Sequence, residues 1–202
     1  MKNKSIVTLK KFTLAAGLAF GLAVSTPITV SFLAAPAAAQ EVHTYSTNEL
    51  VNAGHGFFGQ TSSGLATLVE KAVQSYGLPN GYILGEEGSG ALVAGLRYGE
   101  GKLFTKNSGE HPVYWQGPSI GWDFGGDGNR TMMLVYNLSS VKKLYKRFVG
   151  VSGSAYLVGG LGMTVLKRGN TVLVPVRTGV GARLGVNIGY LKMRRNPTWN
   201  PF

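Results

Sequence analysis

The chain has 202 residues, 30 of them glycine and none cysteine, with a formal net charge of +11. Without cysteine there is no disulfide framework, no thiolate metal ligand and no lipid-modified cysteine anchor. Glycine at this density, with abundant Val, Leu and Tyr and no long polar low-complexity tract, predicts many short, closely turned strands around one core.

The first 39 residues have the three parts of a secretory signal. Lys2, Lys4, Lys10 and Lys11 make a basic start, Phe12 to Ala39 carries no charge, and Ala37-Ala38-Ala39 offers small residues for a peptidase. The competing reading is a retained anchor, because this uncharged stretch is long enough to span a bilayer as a helix. Pro27 and the alanine site favour cleavage near Gln40 and export to the periplasm. That compartment makes nucleic acid an unsuitable partner despite the positive charge.

Residues 40–61 read as a lead-in and 62–202 as one β-barrel domain. Within that domain, Ser62 or Ser63 can cap a helix. Leu65, Leu68, Val69, Ala72, Val73 and Tyr76 then form one apolar stripe, and Gly77 and Pro79 stop it. Gly81–Gly85 and Ala91–Tyr98 read as strands, and Gly99-Glu100-Gly101 as the turn of a hairpin into Lys102–Thr105. Arg130–Tyr136 reads as a buried strand. A second, two-turn helix is expected from about Ser140 to Phe148, apolar on one face and bearing Lys142, Lys143, Lys146 and Arg147 on the other. Ala155–Lys167 should pair with Thr171–Arg177 across Gly169-Asn170, with Pro175 marking a bulge or an edge. In Val180–Met193, Val180, Ala182, Leu184, Val186, Ile188 and Tyr190 alternate with glycine-rich positions, as in a sharply coiled strand. The expected fold is therefore mainly β: a small antiparallel barrel or strongly curved sheet, with one N-terminal amphipathic helix and one short helix between strands.

No catalytic set emerges. His43, His55 and His111 lack metal-ligand spacing, and no nucleophile elbow, zincin motif or phosphate loop is present. Neither a catalytic residue, a metal nor a cofactor is assigned. Glu86-Glu87 reads as a solvated acidic pair in a glycine-rich turn. Asp123–Asn129 lacks the oxygen spacing of a calcium loop and reads as a tight turn. An outer-membrane barrel is disfavoured by Pro197 and Pro201 before Phe202 and by several strands shorter than a membrane crossing.

Two groups remain as binding candidates. Tyr114, Trp115 and Trp122, with Arg130 nearby, could line a barrel mouth for a small apolar or sugar-like ligand, or simply be core and rim. Lys142, Lys143, Lys146 and Arg147 could contact an anionic surface, or be a solvated face. Charge placement bears on the second. All nine acidic residues lie at or before Asp127; residues 40–127 carry a balance of −5 and residues 128–202 one of +12. Such a half could attract lipid head groups, lipopolysaccharide phosphates or another anionic envelope component, unless the two halves interleave in space and neutralise each other.

The segments NGYILGEEGSGALVAGLRYGEGKLFTKN (80–107), VYWQGPSIGWDFGGDGNRTMMLVYNL (113–138), GSAYLVGGLGMTVLKRGN (153–170) and VRTGVGARLGVNIGYLKM (176–193) resemble the envelope integrity protein A family. The resemblance runs from about residue 48 onward. It implies an alphaproteobacterial periplasmic protein with a small calycin-like β-barrel, needed for integrity of the cell envelope and without catalytic activity. It carries over no ligand or catalytic residues.

Overall fold

In a computed structural model, residues 43–59, 64–90, 95–119, 129–178, 189–198 and 200 are described. The expected export signal, the Ser62 and Ser63 caps, Trp122, residues 123–128 and most of the last long strand lie outside them.

Two helices lead in. The first, α1 (Thr47–Phe58), starts at a capping box: Ser46 Oγ accepts from the Glu49 backbone N–H, and the Ser46 backbone N–H donates to Glu49 Oε2 at 2.7 Å. It occupies part of the stretch that reads as a lead-in, where no helix is expected. Only Leu50 and Gly54 are buried on it, too few to make a visible apolar stripe. Gly54 explains the close approach of the next helix, since a Cβ there would overlap the Leu65 side chain. That helix, α2 (Gly64–Tyr76), buries Leu65, Leu68, Val69 and Ala72 as the periodicity predicts. It ends where Gly77 takes a φ of 78° and donates to Val73 O.

The strands are β1 (Gly81–Gly90), β2 (Gly95–Thr105), β3 (Gly109–Ser119), β4 (Asn129–Tyr136), β5 (Arg147–Gly150), β6 (Tyr156–Val158), β7 (Leu161–Met163), β8 (Leu166–Arg168), β9 (Thr171–Thr178) and β10 (Tyr190–Arg194). All pairings among the described residues are antiparallel. The order β4-β1-β2-β3-β10-β5-β8-β9 closes on itself through β9 and β4, making an eight-stranded barrel, while β7 and β6 extend from the other part of β9. Closure removes the edges that an open sheet would expose.

Alternation along each strand separates two cores. Met132, Leu134, Tyr136, Val172, Val174 and Val176 point outward under α1 and α2. Met133, Val135, Leu173, Ile83, Leu103, Val113, Leu191 and Met193 point inward. The expected long strand 155–167 is broken into β6, β7 and β8. Pro175 supplies the reason: its carbonyl accepts from Thr164 N–H on the side where it has no N–H to return, so the ladder interrupts between β7 and β8.

Three local expectations are corrected. Gly99-Glu100-Gly101 is not a turn but the middle of β2, paired to β1 on one side and β3 on the other. Glu86 and Glu87 likewise sit within β1 rather than in a turn. The two-turn helix reduces to one turn, α3 (Val141–Leu144), because Arg147 and Phe148 are drawn into β5 by Lys192 and Leu191 of β10. Leu144 and Phe148 still share the barrel interior, so the apolar spacing is honoured by a turn followed by a strand.

Candidate functional site

The barrel interior has a polar layer above its apolar one. On β1 the inward positions run Ile83, Gly85, Glu87, and the pairing register places the rest around them. Thr131 of β4 lies opposite both Gly85 and Arg177 of β9. Glu87 Oε1 stands 3.2 Å from Arg177 Nε and 3.8 Å from Arg97 Nη1 of β2. Its Oε2 accepts the indole N–H of Trp115 of β3 at 2.7 Å. Five consecutive strands thus each contribute one member.

Glycine makes room for it. A Cβ on Gly99 would collide with the Trp115 indole, and one on Gly85 would come within 2.8 Å of its far edge. Burial pushes the Glu87 carboxyl up, but Arg177, Arg97 and the Trp115 N–H outweigh it and hold the group below the usual carboxylate range. Glu87 is therefore an ionised carboxylate whose side chain is only 8% exposed. The sequence reading missed it, and Arg97 and Arg177 with it. The available clue was parity: Glu87 is in step with Ile83, Arg97 with Leu103, and Arg177 with Leu173.

The outer surface divides by charge. Glu86, Glu100 and Glu110 lie on β1, β2 and β3, whereas Arg147, Lys167 and Lys192 lie on β5, β8 and β10, the last of which pairs with β3. The imbalance in sequence is only partly one in space, because Arg130 of the basic half lies opposite Glu86 and Arg177 meets Glu87 inside the barrel. Arg147 sits directly opposite Lys192 and stacks on the Tyr190 ring at 4.4 Å. Like charges opposed on neighbouring strands are unfavourable. Desolvation, Arg194 and Arg147 together hold the Lys192 ammonium below the usual lysine range. Val149, 58% exposed, pairs with Tyr190 and Lys167 in the middle of this arc. Lys142 and Lys143 are exposed on α3, Lys146 in the bend after it, and Arg147 on β5.

Of the aromatic candidates, Tyr114 and Trp115, neighbours on β3, both border an outer groove of about 390 Å³ with Glu87, Tyr98, Gln116 and Arg194. The Trp115 side chain also reaches the interior, where its N–H meets Glu87. The C-terminal segment walls this groove, held by Gln116 Nε2 donating to Asn200 O at 2.6 Å. Arg130 is exposed on the outer face of β4, where it donates to Phe57 O and tethers α1. Among the described residues there is no group of three His, Cys, Asp or Glu that could hold a metal ion.

These features define a closed antiparallel barrel with a helical cover, a charged layer inside it and opposed charge outside. A family model for envelope integrity protein A matches residues 43–202, and the chain belongs to that family. A crystal structure of a beta-barrel-like protein from Brucella abortus is 67% identical, covering 79% of this chain and 99% of that one, with a TM-score of 0.73. A glycerol kinase from Thermus brockianus is 26% identical over 155 residues, 75% of this chain; the chain spans 28% of that enzyme's length. Among the described residues no helix is long and apolar enough to cross a membrane.

Proposed function

We propose that this chain is a non-enzymatic periplasmic protein, delivered by its N-terminal signal, that supports the envelope by docking on phosphate-bearing lipid. The docking face is the basic arc of α3, β5, β8 and β10. The observation that carries this reading is Arg147 set directly against Lys192, beside exposed Val149 and the Tyr190 ring. Like charges opposed on neighbouring outer strands concentrate positive charge on this face. An anionic surface would relieve the repulsion and take up the apolar and aromatic groups between them.

Co-sedimentation with vesicles tests it. Anionic phospholipid vesicles should bind the full chain in a salt-sensitive way and zwitterionic ones should not, with lipopolysaccharide as a separate arm. Reversing Lys142, Lys143, Lys146 and Arg147 to Glu should weaken binding at least about tenfold, since each basic residue near such a surface is worth roughly 1 kcal/mol. Unchanged binding in the reversed chain would sink the proposal.

The alternative, a carrier of a small apolar ligand, draws its support from the outer groove beside Tyr98 and Tyr114 rather than from the interior, whose lower part side chains fill. Native mass spectrometry decides it. A co-purified mass of several hundred daltons, lost on denaturation, favours a carrier, and a clean mass of the chain alone disfavours it.

A further inference from the structure

We infer that the outer groove beside Tyr98 and Tyr114 takes a small organic cation, an amine carried on an apolar or aromatic body. The groove is apart from the basic arc, so the inference stands independently of lipid docking. It rests on the groove of the carrier reading and gives that ligand a charge.

The first argument is the register of the outer face. Glu86 of β1 stands opposite Glu100 of β2, and Glu100 opposite Tyr114 of β3. Two carboxylates opposed on neighbouring strands are unfavourable. Elsewhere on these strands Glu87 meets Arg97 and Arg177, and Glu110 meets Lys102 at 3.2 Å. Among the described residues Glu86 and Glu100 have no such partner. Arg130, across from Glu86 on β4, is engaged by α1: its guanidinium donates to Phe57 O at 2.9 Å and lies over the Phe57 ring at 5.9 Å. A bound ammonium would meet both carboxylates at once and remove their repulsion.

The second argument is room. The groove measures about 390 Å³, within the roughly 300–1,000 Å³ of small-molecule sites. Gly88 borders it on β1 and stands opposite Tyr98, and a Cβ there would meet nothing within 4 Å. The missing side chain leaves open space beside Tyr98, one step along the same face from Glu86. The other wall is the C-terminal segment at Pro197 and Thr198, fixed by the hydrogen bond from Gln116 to Asn200 O.

The third argument is complementarity. Tyr98 and Tyr114 supply aromatic surface next to the two carboxylates, and that pairing of groups is how an organic ammonium is held. Arg194, opposite Tyr114 at the other end, donates to Asn200 O at 3.4 Å and sets the polarity of the groove. The charge of the ligand belongs at the β1–β2 end and its body against the tyrosines. A polycation would be repelled by Arg194.

Benzylamine and benzyl alcohol share a ring and differ in the ammonium. Each is titrated separately into the full chain at low ionic strength, read by the backbone N–H resonances of Tyr98 and Tyr114. A saturable shift is expected with benzylamine, at least about fivefold tighter than with the alcohol. Replacing both carboxylates, Glu86→Gln with Glu100→Gln, should weaken amine binding about tenfold. The melting temperature should stay equal or rise, because the opposed charges are gone. Gly88→Val fills the open space and should abolish saturation, again without loss of melting temperature, since valine suits a strand better than glycine. That split separates occupancy of the groove from damage to the fold. Equal affinity for the two probes would overturn the inference and leave an apolar carrier groove. No saturable shift with either probe up to about 50 mM, weaker than any useful affinity, would overturn both the inference and the groove as a carrier site. Amine binding unchanged in the double glutamine variant or in Gly88→Val also overturns the inference.

Discussion

The lower and upper layers of the barrel interior are drawn from the same strands but obey different rules. Below, Ile83, Leu103, Val113, Met133, Leu173 and Phe148 are fully buried and ask nothing of each other but shape. Above, Glu87, Arg97, Arg177, Trp115 and Thr131 are placed by register, and every member depends on where its neighbour ends. Apolar contacts stabilise in rough proportion to area. A buried charge stabilises only if its partners stay in place. The lower layer should therefore carry most of the stability, and the upper layer most of the sensitivity to pH.

The sharpest way to break this contrast is Phe148→Ala. It should cost about 3–5 kcal/mol in denaturant unfolding, because a large ring is lost from a site closed by α3 and β10. A cost below about 1 kcal/mol would mean that the lower layer is not the main core.

Glu87→Gln comes next, at about 3 kcal/mol, since it leaves two guanidiniums without their carboxylate. The same residue predicts the acid limb. Glu87 holds its proton less tightly in the folded chain than in the unfolded one. Its stabilisation is whole above the ordinary carboxylate range and drains away as pH falls through its lowered folded value. Urea midpoints followed down the acid range should fall steeply in the parent chain and less steeply in Glu87→Gln. Parallel curves would remove Glu87 as the acid-sensitive group.

A smaller effect tests the helical cover. Ser46→Ala removes the cap of α1 and should cost about 1 kcal/mol. The Glu49 carboxyl, held down to about 2 chiefly by the Ser46 backbone N–H and then by Lys106 and the Ser46 hydroxyl, should rise only slightly in that variant, because the first two remain, as followed by NMR titration. The smallest effect belongs to the outer arc. Lys142→Ser and Lys143→Ser should each move stability by no more than about 0.5 kcal/mol, because both are exposed and neither fills a core position. A larger loss would show that these lysines help to hold α3 in place.

What could be read in advance was local pattern, wherever a single physical effect ruled it. The apolar stripe of α2, the β4 strand and the Gly169-Asn170 turn follow from periodicity and turn chemistry, and the family from long specific segments. The α1 helix escaped because its stability comes from a capping box and from packing on Leu65, not from an apolar stripe of its own. Tyr190 shows the limit within a single strand: Leu191 and Met193 take the buried positions of β10, while Tyr190, grouped with the apolar alternation, lies half-buried against Arg147.

The sequence by itself determined that the chain is mainly β, glycine-turned, fronted by an amphipathic helix and split into an acidic and a basic half. Those properties depend on residues near one another in the chain. Tertiary structure alone decided that Gly99-Glu100-Gly101 stays in a strand, that Arg147 leaves its helix, and that Glu87 enters the barrel between Arg97 and Arg177. Each of these was settled by a partner strand that supplied hydrogen bonds or counter-charge from another part of the chain, and no local pattern records which partner will arrive.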